Sequence, residues 1–88
     1  MSNPIEIPIN GELDLHTFHP RDIKTLVPDY LDECKERGIL DVRIIHGKGT
    51  GALRETVHAI LEKRTDVAKF YLTDHNWGST SLTLSQTH

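Results

Sequence analysis

With one cysteine, Cys34, this chain of 88 residues can close no disulfide within itself, so its core must stabilise it unaided. A lone thiol without a disulfide framework fits a reducing compartment. No apolar run approaches the roughly 20 residues that a membrane-spanning helix needs. The opening stretch MSNPIEIPING has neither a basic nor an apolar segment, so no signal peptide is expected, no membrane partner either, and the cytoplasm is the expected location. Positive charge is also scarce. A formal net charge of −3 excludes a duplex binder coated all over in Lys and Arg. There is no internal repeat and no low-complexity segment, and the length suits a single small domain.

The charge that is present is unevenly placed. Asp29, Asp32, Glu33 and Glu36 share one helical segment and read as a solvated face. Without them the chain is close to neutral, and Arg43, Lys48 and Arg54 gather around a glycine-rich stretch, IIHGKGTGALR (44–54). A local phosphate site is compatible with the unfavourable total.

Hydrophobic periodicity supplies the elements. Ile5, Ile7 and Ile9 alternate, as do Leu13 and Leu15, and Asn10-Gly11 between them predicts a hairpin turn with two positive-φ positions. Pro8 cannot donate to a ladder, which makes the first segment an edge strand. With Leu13 and Leu15 inward, Asp14 and His16 point together to the other face. Spacings of three and four predict a helix over Pro20–Arg37, with Gly38 at its C′ position, and a kink at Pro28 or a short turn ahead of the main segment. DVRII (41–45) predicts a strand, and Ala52–Lys63 a helix with Leu53, Val57, Ile60 and Leu61 inward. Strands over Val67–Thr73 and Ser79–Leu84 follow, joined by DHNWG. The expected fold class is α/β: a two-layer sandwich with a β-α-β-α-β-β mixed sheet and an extra N-terminal edge strand. Right-handed crossovers put both helices on one face and leave the other open to a partner.

Three histidines, His16, His46 and His75, fall just past the ends of strands expected to run parallel, with Asp14 and Asp74 beside them. Ligands of open α/β sheets bind beyond such ends. The loop HGKGTG offers backbone N–H groups at a helix N-terminus, Lys48 a point charge and Arg54 a planar fork for phosphate. It is not a Walker A loop. It fits a loose dinucleotide pattern, Gly47-x-Gly49-x-x-Ala52 with Asp66 downstream, but the chain has too few strands for a full dinucleotide fold. The plain alternative is a tight turn that merely needs glycine.

Leu13-Asp14-Leu15-His16, followed about 30 residues later by His46-Gly47-Lys48-Gly49-Thr50-Gly51-Ala52-Leu53-Arg54, resembles the Smr (small MutS-related) domain, here as a stand-alone bacterial-type member. The likeness runs over roughly Gly11 to Leu84, which suggests an extension over 1–10 and a domain over 11–88. It implies a fold similar to the C-terminal domain of translation initiation factor three, with the last strand antiparallel. It also implies nucleic-acid binding, to DNA or RNA, and in several members endonuclease activity. The family's motifs implicate Asp14, His16 and His46 in catalysis, and Gly47, Lys48, Gly49, Thr50, Gly51 and Arg54 in holding a phosphate. Two departures stand out: Thr17 replaces a usual glycine, and a late Gly-rich segment reads Asn76-Trp77-Gly78-Ser79-Thr80, matching only at Gly78 and Thr80. Trp77 at that loop could stack a base or close the end of the core.

The chemistry expected is general acid–base catalysis by His16 and His46 across a gripped phosphodiester, with Asp14 orienting His16. A ribose 2′-hydroxyl as nucleophile needs no metal. DNA cleavage would call for a divalent ion, Mg²⁺ or Mn²⁺, between Asp14 and the imidazoles, although no dense carboxylate cluster of the two-metal type is present. The alternatives are a non-catalytic DNA- or RNA-binding module and a site for a small phosphate ligand. Oligomeric state is not legible.

Overall fold

The structure is a computed structural model that describes residues 9–16, 18–47, 51–73 and 78–85. Most of the expected N-terminal strand, Thr17, Lys48, Gly49, Thr50, Asp74, His75, Asn76 and Trp77 lie outside the described residues. The elements are β1 (Glu12–Asp14), a 3-10 turn (Pro20–Asp22), α1 (Ile23–Glu36), β2 (Asp41–Ile45), α2 (Ala52–Lys63), β3 (Val67–Leu72) and β4 (Ser79–Leu84). They form one four-stranded sheet in the order β1-β2-β4-β3. β1 pairs parallel with β2, and β4 runs antiparallel to both β2 and β3. β1, β2 and β3 therefore all point the same way, and their carboxyl ends share a rim with the start of β4.

The periodicities explain which face is covered. Leu13, Leu15, Val42, Ile44, Leu82 and Leu84 are buried on one side of the sheet. Ile23, Val27, Leu31, Val57 and Leu61 of the two helices complete the same core, and α1 and α2 also pack on each other. The alternate residues form the opposite face, where Glu12, Asp14, Asp41, Arg43 and Tyr71 are exposed. The expected two-layer arrangement with both helices on one face is what the chain adopts. β3 lies at an edge, and a register shift between Val67 and Lys69, with Lys69 itself exposed, suits an edge that must not recruit another strand.

Local chemistry sets the boundaries. Gly11 has φ +95°, and a Cβ there would lie 3.1 Å from the Asp41 carbonyl oxygen, so only glycine fits this turn. The Asn10 side chain accepts from Glu12 N–H, and the buried Tyr30 hydroxyl accepts from Gly11 N–H while donating to the Glu12 carbonyl, which clamps α1 to the start of β1. α1 ends as expected at Gly38, φ +76°: Gly38 N–H reaches the Lys35 carbonyl and Ile39 N–H the Cys34 carbonyl, a Schellman closure. The break in the helical segment falls at the 3-10 turn instead of at Pro28, and α1 runs through Pro28. Pro28 leaves only the carbonyl of Lys24 without its helical donor, on a residue exposed to water. Arg64 donates to Asp66 and Asp32, and Lys35 to Asp66, tying the end of α2 to α1. Asp66, the acidic residue of the loose dinucleotide pattern, is thus committed to an ion network.

Candidate functional site

The carboxyl rim carries two histidine arrangements of opposite character. At the end of β1 the Asp14 carboxylate accepts from the His16 backbone N–H at 3.0 Å and from the His16 ring Nδ1 at 2.8 Å. The ladder with β2 stops because Gly47 N–H, next in line for the Leu15 carbonyl, donates to Gly78 while Phe18 N–H takes that carbonyl. The His16 amide faces away from β2, so both Asp14 bonds lie outside the ladder. Those same bonds, the backbone one foremost, hold the Asp14 carboxyl below the usual carboxylate range. A carboxylate only accepts, so Nδ1 carries the proton and Nε2 faces solvent as the basic nitrogen. Side-chain exposures of 71% for His16 and 47% for Asp14 put the pair within reach of a large ligand.

At the end of β2 the chain turns at Gly47, φ +80°. The backbone N–H groups of His46 and Gly47 both donate to the Gly78 carbonyl, at 3.0 and 2.9 Å, so the loop entrance is tied to the start of β4. Gly51, φ +88°, caps α2, and its carbonyl accepts from Glu55 N–H. The Arg54 guanidinium folds back over it: a Cβ on Gly51 would sit 2.8 Å from Arg54 Nη2. A cleft of about 250 Å³ opens here, lined by Pro20, His46, Gly47, Gly51, Ala52, Leu53 and Arg54. The macrodipole of α2 and the Arg54 charge both favour an anion in it.

His46 borders that cleft but is only 5% exposed. Strand alternation turns it to the helix side of the sheet, whereas Asp14 and His16 lie on the other side. Its Nε2 is 2.8 Å from Thr80 Oγ1 and its Nδ1 is 3.1 Å from the Gly47 carbonyl oxygen. His58 of α2 places Nε2 2.8 Å from the same Thr80 hydroxyl, edge-on to His46 and tilted against Phe70. Burial first, then the neighbouring His46 and Arg54, lower the His58 pKa.

The expected site residues therefore divide. Asp14 and His16 meet as alternation foretold, and Gly47, Gly51, Arg54 and Gly78 gather at the loop. His46 joins the loop but not the Asp14–His16 pair. His75, Lys48, Gly49, Thr50 and Trp77 fall outside the described residues. His58 escaped the sequence reading, and its one signal was its position four residues after Arg54, on the same side of α2. Among the described residues no three His, Cys, Asp or Glu side chains come together to hold a metal ion, and Asp14 and His46 face opposite sides of the sheet.

A two-layer α/β fold with a glycine-capped helix and histidines at the carboxyl rim defines the class, and comparison with known proteins agrees. The family model of the Smr domain matches residues 13–86, and the chain belongs to that family. It is 40% identical over 73 residues to the endonuclease MutS2 of Geobacillus sp. (strain WCH70), covering 83% of this chain and 9% of that protein. It is 32% identical over 77 residues to the endonuclease MutS2 of Agathobacter rectalis, covering 88% and 10%. The chain thus spans about a tenth of the length of these curated relatives. Among solved structures it is similar to the Smr domain of Thermus thermophilus MutS2, with a TM-score of 0.78 and 29% identity, covering 85% of this chain and 98% of that one. YdaL, a stand-alone small MutS-related protein from Escherichia coli, shares the fold with a TM-score of 0.79 at 21% identity, covering 86% and 65%. Among the described residues no helix is long and apolar enough to cross a membrane.

Proposed function

We propose that the carboxyl rim binds the phosphodiester backbone of a nucleic acid and that the Asp14–His16 pair cleaves it. The observation that carries this reading is an exposed imidazole held by a carboxylate at one strand end, next to a helix-capping anion cleft at the neighbouring one. The Leu15 N–H to Ile45 carbonyl bond makes the two ends adjacent. The proposed phosphate site comprises Gly47, Gly51, Arg54 and Gly78, and Lys48, Gly49, Thr50 and Trp77, which lie outside the described residues, are proposed to contribute to it.

With RNA, His16 Nε2 takes the proton of a ribose 2′-hydroxyl, the freed oxygen attacks phosphorus, and the 5′ oxygen leaves with a proton from water. Asp14 keeps the ring oriented and stabilises the imidazolium that forms. His46, expected as the second proton-transfer group, has both ring nitrogens engaged and serves by holding the loop entrance. With DNA the attacking water calls for a divalent ion, Mg²⁺ or Mn²⁺, to activate it. The Asp14–His16 pair, able to act as a base on a ribose 2′-hydroxyl, favours RNA over DNA as the substrate, and the same exposed pair supports a second reading, a binding module without catalysis.

The test is incubation with end-labelled single-stranded RNA, single-stranded DNA and supercoiled plasmid, in EDTA and in Mg²⁺ or Mn²⁺, beside His16→Ala. Cleavage lost in the variant supports the nuclease, and the lanes identify substrate and metal need. Intact substrates that nevertheless shift on a gel would leave the binding module as the function.

A further inference from the structure

Thr80 Oγ1 lies 2.8 Å from Nε2 of His46 and 2.8 Å from Nε2 of His58. A hydroxyl has one proton, so it can donate to only one of these nitrogens, and the other must itself be a donor. The second nitrogen of His46 decides between them. Nδ1 is 3.1 Å from the Gly47 carbonyl oxygen, which only accepts, so Nδ1 carries hydrogen. A neutral imidazole carries one, which leaves His46 Nε2 as the acceptor of the Thr80 proton. The Thr80 oxygen then accepts from His58, whose proton resides on Nε2. Thr80 is wholly buried, and this assignment satisfies each of the three groups. A cationic His46 would reverse the direction of the series, with Thr80 accepting from His46 Nε2–H and donating to His58 Nε2. It would also place charge beside His58, which already faces Arg54 from its own helix, with Glu62 in partial compensation and the uncharged Phe70 from β3.

We infer that His58, Thr80 and His46 form a directed hydrogen-bond chain, Nε2–H to Oγ1–H to Nε2, ending in His46 Nδ1–H on the Gly47 carbonyl, and that Thr80 and His58 are thereby positioning residues for the glycine loop. The chain links the middle of α2 and the start of β4 to the loop entrance, where the Gly78 carbonyl already accepts from the His46 and Gly47 amides. Each bond polarises the next, so the series holds the entrance more firmly than its members would separately. The consequence for a ligand rests on the proposed phosphate grip, whereas the proton arrangement does not.

The chain is read directly by nitrogen NMR of the full protein with ¹⁵N-labelled histidine near neutral pH. His46 should show the neutral Nδ1–H pattern and His58 the neutral Nε2–H pattern; the opposite tautomer or an imidazolium at His46 overturns the inference. Thr80→Val should mix the His46 tautomers, speed exchange of the Gly47 amide, and weaken oligonucleotide binding by about fivefold, the worth of one hydrogen bond. Thr80→Ser should restore all three. Should Thr80→Val fail to fold, His58→Phe, which keeps the ring against Phe70, should still shift the His46 Nε2 resonance and speed Gly47 exchange. An unchanged His46 spectrum in both variants refutes the chain. A mixed tautomer with unchanged Gly47 exchange refutes the positioning role. Failure of the unmodified protein to bind any oligonucleotide refutes the proposed function alone, since the resonances still decide the chain.

Discussion

The two histidine arrangements on the rim use one side-chain type for two purposes. His16 meets a carboxylate and solvent, so its Nε2 is left facing outward, where the proposed proton transfer would take place. His46 meets a hydroxyl, a carbonyl and the core, so both its nitrogens serve the fold. They end adjacent parallel strands, and the difference arises from alternation alone: one residue faces the open side of the sheet and the other the helices. A histidine at a strand end is therefore an active-site candidate only once its face is known.

The largest test of this contrast is His16→Ala, expected to lower cleavage at least about 100-fold, the usual worth of a general base, with oligonucleotide affinity little changed. An equal loss of affinity would mean that His16 binds instead of reacting. Acid titration separates the rim from the rest of the domain. Asp66, held at about 2 by Arg64 and Lys35, is depressed from 3.8, so its stabilisation is full above 3.8 and is lost as pH falls through about 2. That loss amounts to roughly 2 kcal/mol in urea melts, and Asp66→Asn should remove it. Gly51→Ala forces a side chain to φ +88° and against Arg54, and should cost about 1–2 kcal/mol in the same melts while weakening binding at the loop. The smallest effect sharpens the comparison most. The His58 pKa is lowered from 6.5, so its neutral, buried form stabilises fully above that value and the contribution is lost as pH falls below it. Stability measured from pH 8 to pH 5 should decline in the parent and be flatter in His58→Phe.

Much of this was legible in the residues. β2, α2 and β4 begin and end where periodicity placed them, and Gly38 closes α1 because a positive φ there suits no other residue as well. The pairing of Asp14 with His16 followed from strand alternation. Two local details needed the structure. β1 is shorter because the Gly47 amide that would extend its ladder goes to Gly78. Of the two expectations for the helical segment it is the short turn ahead of the main segment that forms, with α1 passing through Pro28 because the carbonyl it orphans belongs to an exposed residue.

Elements, the covered face of the sheet, the glycine positions and the chemistry of Asp14 with His16 were determined by the sequence itself, since each depends on residues within a few positions of one another. The insertion of β4 between β2 and β3, the burial of His46 and its link to His58 were decided only by the tertiary structure. The Thr80 bonds join residues 34 and 22 positions apart, and no local pattern reports on a partner that the strand order alone brings near.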